Sequence, residues 1–307
     1  MHVLVAGWFS WGNMGTTAGD LIARDIVCSW LKEAGVDFDV AVHSSFSFNK
    51  AVDWEKANKD LYTDIVFVCG PFGNGYPVTD MLKHFSSARL IGVDLSLLDT
   101  LENWNPFTLL YERDSSRRSN PDITFYAAPP KVPVVGLMLV HKQGEYKKRG
   151  RHDEVWNEIE KLLNSREMAV VRIDTVITEN EGKLRTEGEI ESLIAKMDVI
   201  ITTRLHGTVL ALKNGVPVIP IDPIAGGAKI SLQVNTIGWP ILFSPEDVNV
   251  GKLIEAFDYC FTADARREAQ ECASKAIEKI ELIREKFISE IKELQSSRIG
   301  NENFQNN

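Results

Sequence analysis

The sequence has no C-x-x-C pair. Its four cysteines, Cys28, Cys69, Cys260 and Cys272, stand far apart, so neither a zinc site nor a thioredoxin-like motif has support. Basic charge is in short supply: 34 Lys and Arg against 43 Asp and Glu give a net charge of −9. A nucleic-acid partner would call for the opposite balance. No apolar run approaches the length of a transmembrane helix. The start, "MHVLVAGWF", has no basic region and too short an apolar run for a signal peptide. These absences predict a cytoplasmic protein in a reducing compartment. The glycine-rich loop after the first strand also lacks G-x-G-x-x-G, since Gly7, Gly12, Gly15 and Gly19 have other spacings. A dinucleotide fingerprint is therefore missing, and no cofactor is expected.

What is present is a repeated alternation of strand-like and helix-like runs, with 44% apolar residues to fill a core. In the first half the strand candidates are 2–7, 38–44, 64–70, 88–94, 107–114 and 122–128. Leu21, Ile22, Ile26, Val27, Trp30 and Leu31 recur at helical spacing over 21–35. Pro129, Pro130 and Pro133 then interrupt the pattern and mark a linker. It restarts with strands at 133–140, 168–174, 197–203 and 216–222 and helices at 152–164, 187–196 and 206–214. Apolar strands joined by helices imply parallel sheets covered on both faces. The fold class is α/β, with two doubly wound Rossmann-like domains over 1–130 and 131–260. A helix over 261–297 follows, with Ile277, Ile280, Ile283, Phe287, Ile291 and Leu294 on one stripe. That stripe predicts packing on the domains, and 298–307 reads as a disordered tail.

Ligands of open parallel sheets bind beyond the C-terminal ends of the strands. Strand 197–203 delivers Arg204 and His206 there. Strand 216–222 delivers Asp222 and then a loop with Gly226, Gly227 and Lys229. If the two strands are neighbours, both cations share one crevice with two helix N-termini, a setting for a compact polyanion. A guanidinium grips phosphate or carboxylate with two N–H groups, and the ammonium acts as a point charge. His206 among them is placed to donate a proton. Taken one at a time, an arginine at a strand end or a histidine at a helix start is as readily structural. Gly226 and Gly227 alone read as a turn, yet beside Lys229 they also let backbone approach a phosphate.

The first half delivers Arg113 and Asp114 at the end of strand 107–114, and Asn13 in the N-terminal loop. Asp20 reads as a helix N-cap or as a general base for an acceptor hydroxyl. Trp8, Phe9 and Trp11 read as core capping in preference to a sugar-stacking platform. The loop 141–152, with Lys142, Lys147, Lys148, Arg149 and Arg151, reads as a solvated charge run at a cleft mouth.

"TTRLHGTVLALKNGVPVIPID", 202–222, resembles the signature region of the polysaccharide pyruvyltransferase family. "GNMG" at 12–15, "LLYERDSSRRS" at 109–119 and "CGPFGNG" at 69–75 are similar to further family segments, and the resemblance spans roughly 3 to 245. It implies a two-domain architecture of the B-type glycosyltransferases. It implies phosphoenolpyruvate as donor and a saccharide or lipid-linked glycan as acceptor, with peripheral membrane contact through the latter. The implied product is a pyruvate ketal on two sugar hydroxyls, with phosphate released and no metal expected. Donor-binding positions of the family fall on Arg113, Arg204, His206 and Lys229. The chain departs from the family at Thr16, where relatives carry Asp, at Gly70-Pro71-Phe72-Gly73, and around Lys229, where relatives carry a tyrosine-containing segment. Two other readings use the same cations: a glycosyltransferase with a nucleotide-sugar donor, for which Asp222 would hold the ribose, and a non-catalytic binder of a phosphorylated metabolite. Oligomeric state is not legible.

Overall fold

The computed structural model describes the chain except Asn13, residues 44–50, 141–147, Glu179, Glu181 and 305–307, together with the side chains of 297–304. The described chain divides into two compact units, Met1–Pro130 and Lys131–Asn307.

The N-terminal unit holds a six-stranded parallel sheet. Its strands are β1 (His2–Gly7), β2 (Asp37–Ala41), β3 (Ala51–Val52), β4 (Asp64–Phe72), β5 (Arg89–Leu97) and β6 (Leu109–Tyr111), in the order β3-β2-β1-β4-β5-β6. That is the dinucleotide-fold strand order without its glycine fingerprint. Alternate residues of one strand feed different cores. Val3 and Val5 join Ala23 and Val27 of α1 (Ala18–Glu33), while Leu4 and Ala6 join Trp11, Phe67 and Phe72. A sheet covered on both faces needs apolar residues at every position, hence the unbroken runs. Phe9 is fully buried and Trp11 nearly so, and the Trp8 indole donates to the Pro71 carbonyl at 3.0 Å. Core capping therefore describes these aromatics. A short helix, α2 (Val78–His84), lies between β4 and β5.

The C-terminal unit holds four parallel strands, β7 (Val134–Met138), β8 (Ala169–Arg172), β9 (Val199–Thr202) and β10 (Val218–Pro220), ordered β10-β9-β7-β8. Around them stand α3 (His152–Ser165), α4 (Glu187–Ile194), α5 (Leu205–Lys213), α6 (Lys229–Ile237), α7 (Val250–Cys260) and α8 (Ala263–Phe304). One core collects Val135, Leu137, Ile159, Ile200, Ile219 and Phe257.

Three expectations are corrected. The run 122–128 is not a strand; residues Ile123–Tyr126 form a 3₁₀ turn. Asp122 accepts from the Thr124 amide and hydroxyl, which starts a turn in place of a ladder, and Phe125 and Tyr126 are exposed. The backbone of 298–304 is helical, continuing α8 to Phe304. The apolar stripe on α8 is exposed, and only the helix start that precedes it is buried. Ala265, Ala269 and Cys272 are buried, whereas every residue from Ile277 to Ser296 is exposed. Within the described residues no helix is long and apolar enough to cross a membrane.

Candidate anion-binding site

In the C-terminal sheet the winding direction reverses between β7 and β9, because β8 lies on one side of β7 and β9 on the other. A crevice opens beyond strand ends at such a reversal. Here it is a cleft of about 110 Å³ whose lining includes Val140, Thr203, Arg204, His206, Ala228 and Lys229. A single water needs a small fraction of that volume.

Two buried threonines hold the strand ends that form it, and of the two Thr203 is in its lining. The Thr202 hydroxyl donates to the Met138 carbonyl at 2.9 Å and accepts from the Arg204 amide at 3.0 Å. The Thr203 hydroxyl accepts from the Val140 amide at 2.8 Å. These bonds tie the ends of β7 and β9 together just where α5 begins. Arg204 is the N-cap of α5, and its side chain makes no cap bond. The first-turn amides therefore lack a side-chain acceptor from their own cap, and they carry the positive end of the helix dipole. The guanidinium is anchored by Nε, which donates to the Leu139 carbonyl at 2.8 Å, and by Nη2, 3.1 Å from Asp174 Oδ1. Its Nη1 makes no hydrogen bond among the described residues. His206, two residues on, is exposed and lines the same cleft, as does Lys229 at the first position of α6.

The loop before Lys229 is held from two sides. Gly226 and Gly227 both take positive φ, +75° and +74°, a conformation that side chains with a Cβ rarely adopt. Asp222 is buried inside this turn. Its Oδ1 accepts from the Ile224 amide at 3.3 Å. Its Oδ2 accepts from the Ala228 amide at 2.7 Å, the Ser231 amide at 3.1 Å and the Ser231 hydroxyl at 2.9 Å. Asp222 thus caps α6 from a distance, and its carboxylate has no place for a ribose. From outside, Arg149 donates through Nε to the Ala225 carbonyl at 2.9 Å and through Nη2 to the Gly227 carbonyl at 2.8 Å. The Ala225 amide donates back to the Arg149 carbonyl at 2.9 Å, and the Arg151 amide to the Pro223 carbonyl at 2.8 Å. The described basic residues of the loop, Lys148, Arg149 and Arg151, are exposed as a solvated run would be, and Arg149 in addition clamps the glycine turn. Lys142 and Lys147 lie outside the described residues, as does Asn13.

Arg204, His206 and Lys229 line one cleft, while Gly226 and Gly227 form the turn before Lys229 and are not in its lining. Arg113 belongs to the N-terminal unit and is committed there. Its Nη1 lies 2.8 Å from Asp122 and 3.8 Å from Asp94, Nε 3.3 Å from Asp114, and Nη2 donates to Ser96 Oγ at 2.6 Å. Cys69, Asp94 and Asp122 bring ligand-type atoms within 4.8 Å of one another, and the cation standing among them is this guanidinium. Burial pushes the Asp94 carboxyl up. At Asp122 burial acts the same way, but hydrogen bonds from Thr124 and then Arg113 prevail and hold the group below its usual range. Burial also pushes the Cys69 thiol up to about 12, so it is a core thiol and no nucleophile at neutral pH.

Asp20 is neither the N-cap of α1 nor free. The N-cap is Thr17, and Asp20 completes a capping box. Asp20 Oδ2 accepts from the Thr17 amide and from the Thr17 hydroxyl, both at 2.7 Å, and its amide donates back at 3.3 Å. Sequence reasoning passed over Asp174, the clamp made by Arg149 and the structural role of Asp222. The spacing T-x-x-D at 17–20 was a legible signal for the box; nothing in the sequence places Arg149 against 225–227, which is 76 residues away.

Residues 116–223 match the family profile described as polysaccharide pyruvyl transferase. The match takes in Arg149, Asp174, Arg204, His206 and Asp222, and it stops short of Lys229. No curated protein matches the sequence. Among solved structures, the spinosyn rhamnosyltransferase SpnG complexed with spinosyn aglycone is similar at a TM-score of 0.32 and 10% identity, over 89% of this chain and 96% of that one. MurG of Acinetobacter baumannii is similar at 0.29 and 11% identity, over 90% and 94%. The UDP-GlcNAc 2-epimerase of Methanocaldococcus jannaschii is similar at 0.32 and 10% identity, over 90% and 99%. Scores of that size carry no inference about this chain's ligands.

Proposed function

We propose that the chain transfers a pyruvyl group from phosphoenolpyruvate to two hydroxyls of a saccharide, forming a ketal and releasing phosphate. The observation that supports it is the α5 start, where uncapped amides, the Arg204 guanidinium, His206 and Lys229 share one small cleft within a segment matching the pyruvyl transferase family. Phosphoenolpyruvate puts a carboxylate and a phosphate on three carbons, so it needs several fixed positive groups in a small volume. In this reading His206 donates a proton to the methylene carbon, which makes the central carbon electrophilic. One sugar hydroxyl adds there and returns its proton to His206. Phosphate departs with the electron pair of its bond, and the second hydroxyl closes the ketal as its proton passes to phosphate. Arg204 and Lys229 hold the charge that grows on the leaving phosphate. Arg113 and Asp20 are left out, because Arg113 is held by Asp122, Asp114 and Ser96, and Asp20 by its capping box with Thr17.

The test is a calorimetric titration of phosphoenolpyruvate, with UDP, GDP and phosphate as controls. Phosphoenolpyruvate is expected to bind most tightly, and Arg204→Ala to weaken it by about 100-fold, the loss of one charge-assisted contact made through Nη1. Arg204→Lys keeps the charge without the fork and is expected to recover only part of the loss. A preference for UDP or GDP would replace this reading with the nucleotide-sugar one, and phosphoenolpyruvate binding without phosphate release in the presence of sugar acceptors would favour a non-catalytic binder.

Arg149 gives a gentler test of the clamp. Arg149→Ala is expected to raise the dissociation constant for phosphoenolpyruvate roughly tenfold, through the loosened turn before Lys229. The far-UV spectrum should not change, since the substitution removes two hydrogen bonds to loop carbonyls and touches no helix or strand ladder. An unaltered constant would detach this clamp from ligand binding.

A further inference from the structure

The apolar stripe on α8 has a regularity that packing on its own domain does not use. With 100° between successive residues, Ile280, Ile283, Phe287, Ile291 and Leu294 fall within an arc of about 80°. Ala265, Ala269 and Cys272, which are buried, lie on the same face. The face that docks the helix start therefore runs on past the domain. There Ile280, Ile283, Phe287, Ile291 and Leu294 are 60%, 67%, 61%, 47% and 63% exposed. Five large apolar residues in one unbroken row exceed the scattered exposed residues of an ordinary surface.

The spacing within the row is three, four, four, three, a palindrome centred on Phe287. An antiparallel copy laid against it meets the same row: Ile280 opposite the partner's Leu294, Ile283 opposite the partner's Ile291, and Phe287 on the two-fold axis beside its own equivalent. The charges along one flank of the stripe have matching antisymmetry. In chain order they are Lys279, Lys286, Glu290 and Glu293. Antiparallel pairing about Phe287 brings Lys286 beside the partner's Glu290 and Lys279 toward the partner's Glu293. Parallel pairing would set this flank against the other one, where Lys286 would meet the like charge of Arg284 and Lys279 the opposite charge of Glu281, so that arrangement gains no net match. Lys286 lies 3.7 Å from Glu290 in its own helix, an exposed pair of little worth alone that a second copy extends into a network.

We infer that this face of α8 is a self-complementary, antiparallel two-fold interface, and that its occupant is a second copy of the chain. One surface serves both subunits, as a two-fold contact requires.

Sedimentation equilibrium of the full chain from about 1 to 100 μM covers the range in which such an interface declares itself. The expected mass is twice the 34.4 kDa chain mass. Phe287→Glu sets two carboxylates together on the axis and is expected to weaken the dimer by at least about 100-fold, with an unchanged far-UV spectrum because Phe287 is exposed. Orientation is read separately by mild oxidation. Phe287→Cys should crosslink to itself, and Ile280→Cys mixed with Leu294→Cys should give the heterodimer in preference to either homodimer. A monomer throughout the range, a dimer indifferent to Phe287→Glu, or an Ile280→Cys chain that crosslinks mainly to itself would each overturn the proposal.

Discussion

Asp222→Ala is expected to lower the stability of the protein by about 3 kcal/mol and to abolish binding in the cleft. The carboxylate is buried and collects four donors, from Ile224, Ala228 and Ser231 twice. Hydrogen bonds to a charged acceptor contribute roughly 1.5–3 kcal/mol each, and buried donors left unpaired cost 1–3 kcal/mol. The turn relaxes and finds water for some of them, so the sum is not reached. Removing the acceptor frees a loop in which two successive glycines sit at positive φ, and Lys229 loses its fixed place. The readout is the urea midpoint at constant slope, alongside the phosphoenolpyruvate titration. Asp222→Asn keeps one acceptor oxygen but turns an amide toward donors, and is expected to fall between wild type and alanine. This experiment also separates two roles for the same residue. A carboxylate kept for a ribose would leave stability unchanged or raised on removal, because an unliganded buried charge is costly.

The strands were legible because each carries apolar residues at consecutive positions, and β1, β4, β5, β7, β9 and β10 all lie where that pattern puts them. The reading failed where a local side chain outbid the pattern. Asp122 turned 122–128 into a 3₁₀ turn by offering the Thr124 amide an acceptor closer than any strand. It also missed α6 and α7, whose short amphipathic runs bury only residues such as Ile230, Val234, Leu253 and Phe257. In the site, Arg204 and His206 were found because strand ends are where parallel sheets place ligands. Arg113 stood at a strand end as well, but the three carboxylates that occupy it come from positions 94, 114 and 122, and only the fold brings all of them to one guanidinium. The stripe on α8 was read correctly as apolar and wrongly as covered, since periodicity shows a face and not what lies against it.

Gly207→Ala is the smallest change with the second large effect. Gly207 lies in the first turn of α5, packed directly on the end of β9. A Cβ built there would stand 2.2 Å from Thr202 Oγ1 and 3.1 Å from both Thr202 Cβ and Met138 Sδ. Approaches that short do not persist, so either the threonine or the helix moves. Thr202 is held by its bonds to the Met138 carbonyl and the Arg204 amide, and a β-branched side chain has few rotamers to retreat into. Breaking those bonds and overpacking a buried contact is expected to cost about 3 kcal/mol. If α5 yields instead, Arg204 and His206 go with it, and a displacement of that kind removes the cleft's geometry even where the fold survives. Thr202→Ala decides which strain dominates, because it deletes the atom at 2.2 Å. On that background Gly207→Ala should be milder by at least about 1 kcal/mol, a coupling well above the usual additivity error. Equal losses on both backgrounds would mean that the helix, not the hydroxyl, sets the limit, and that the close approach of α5 to β9 rests on Met138 and the backbone.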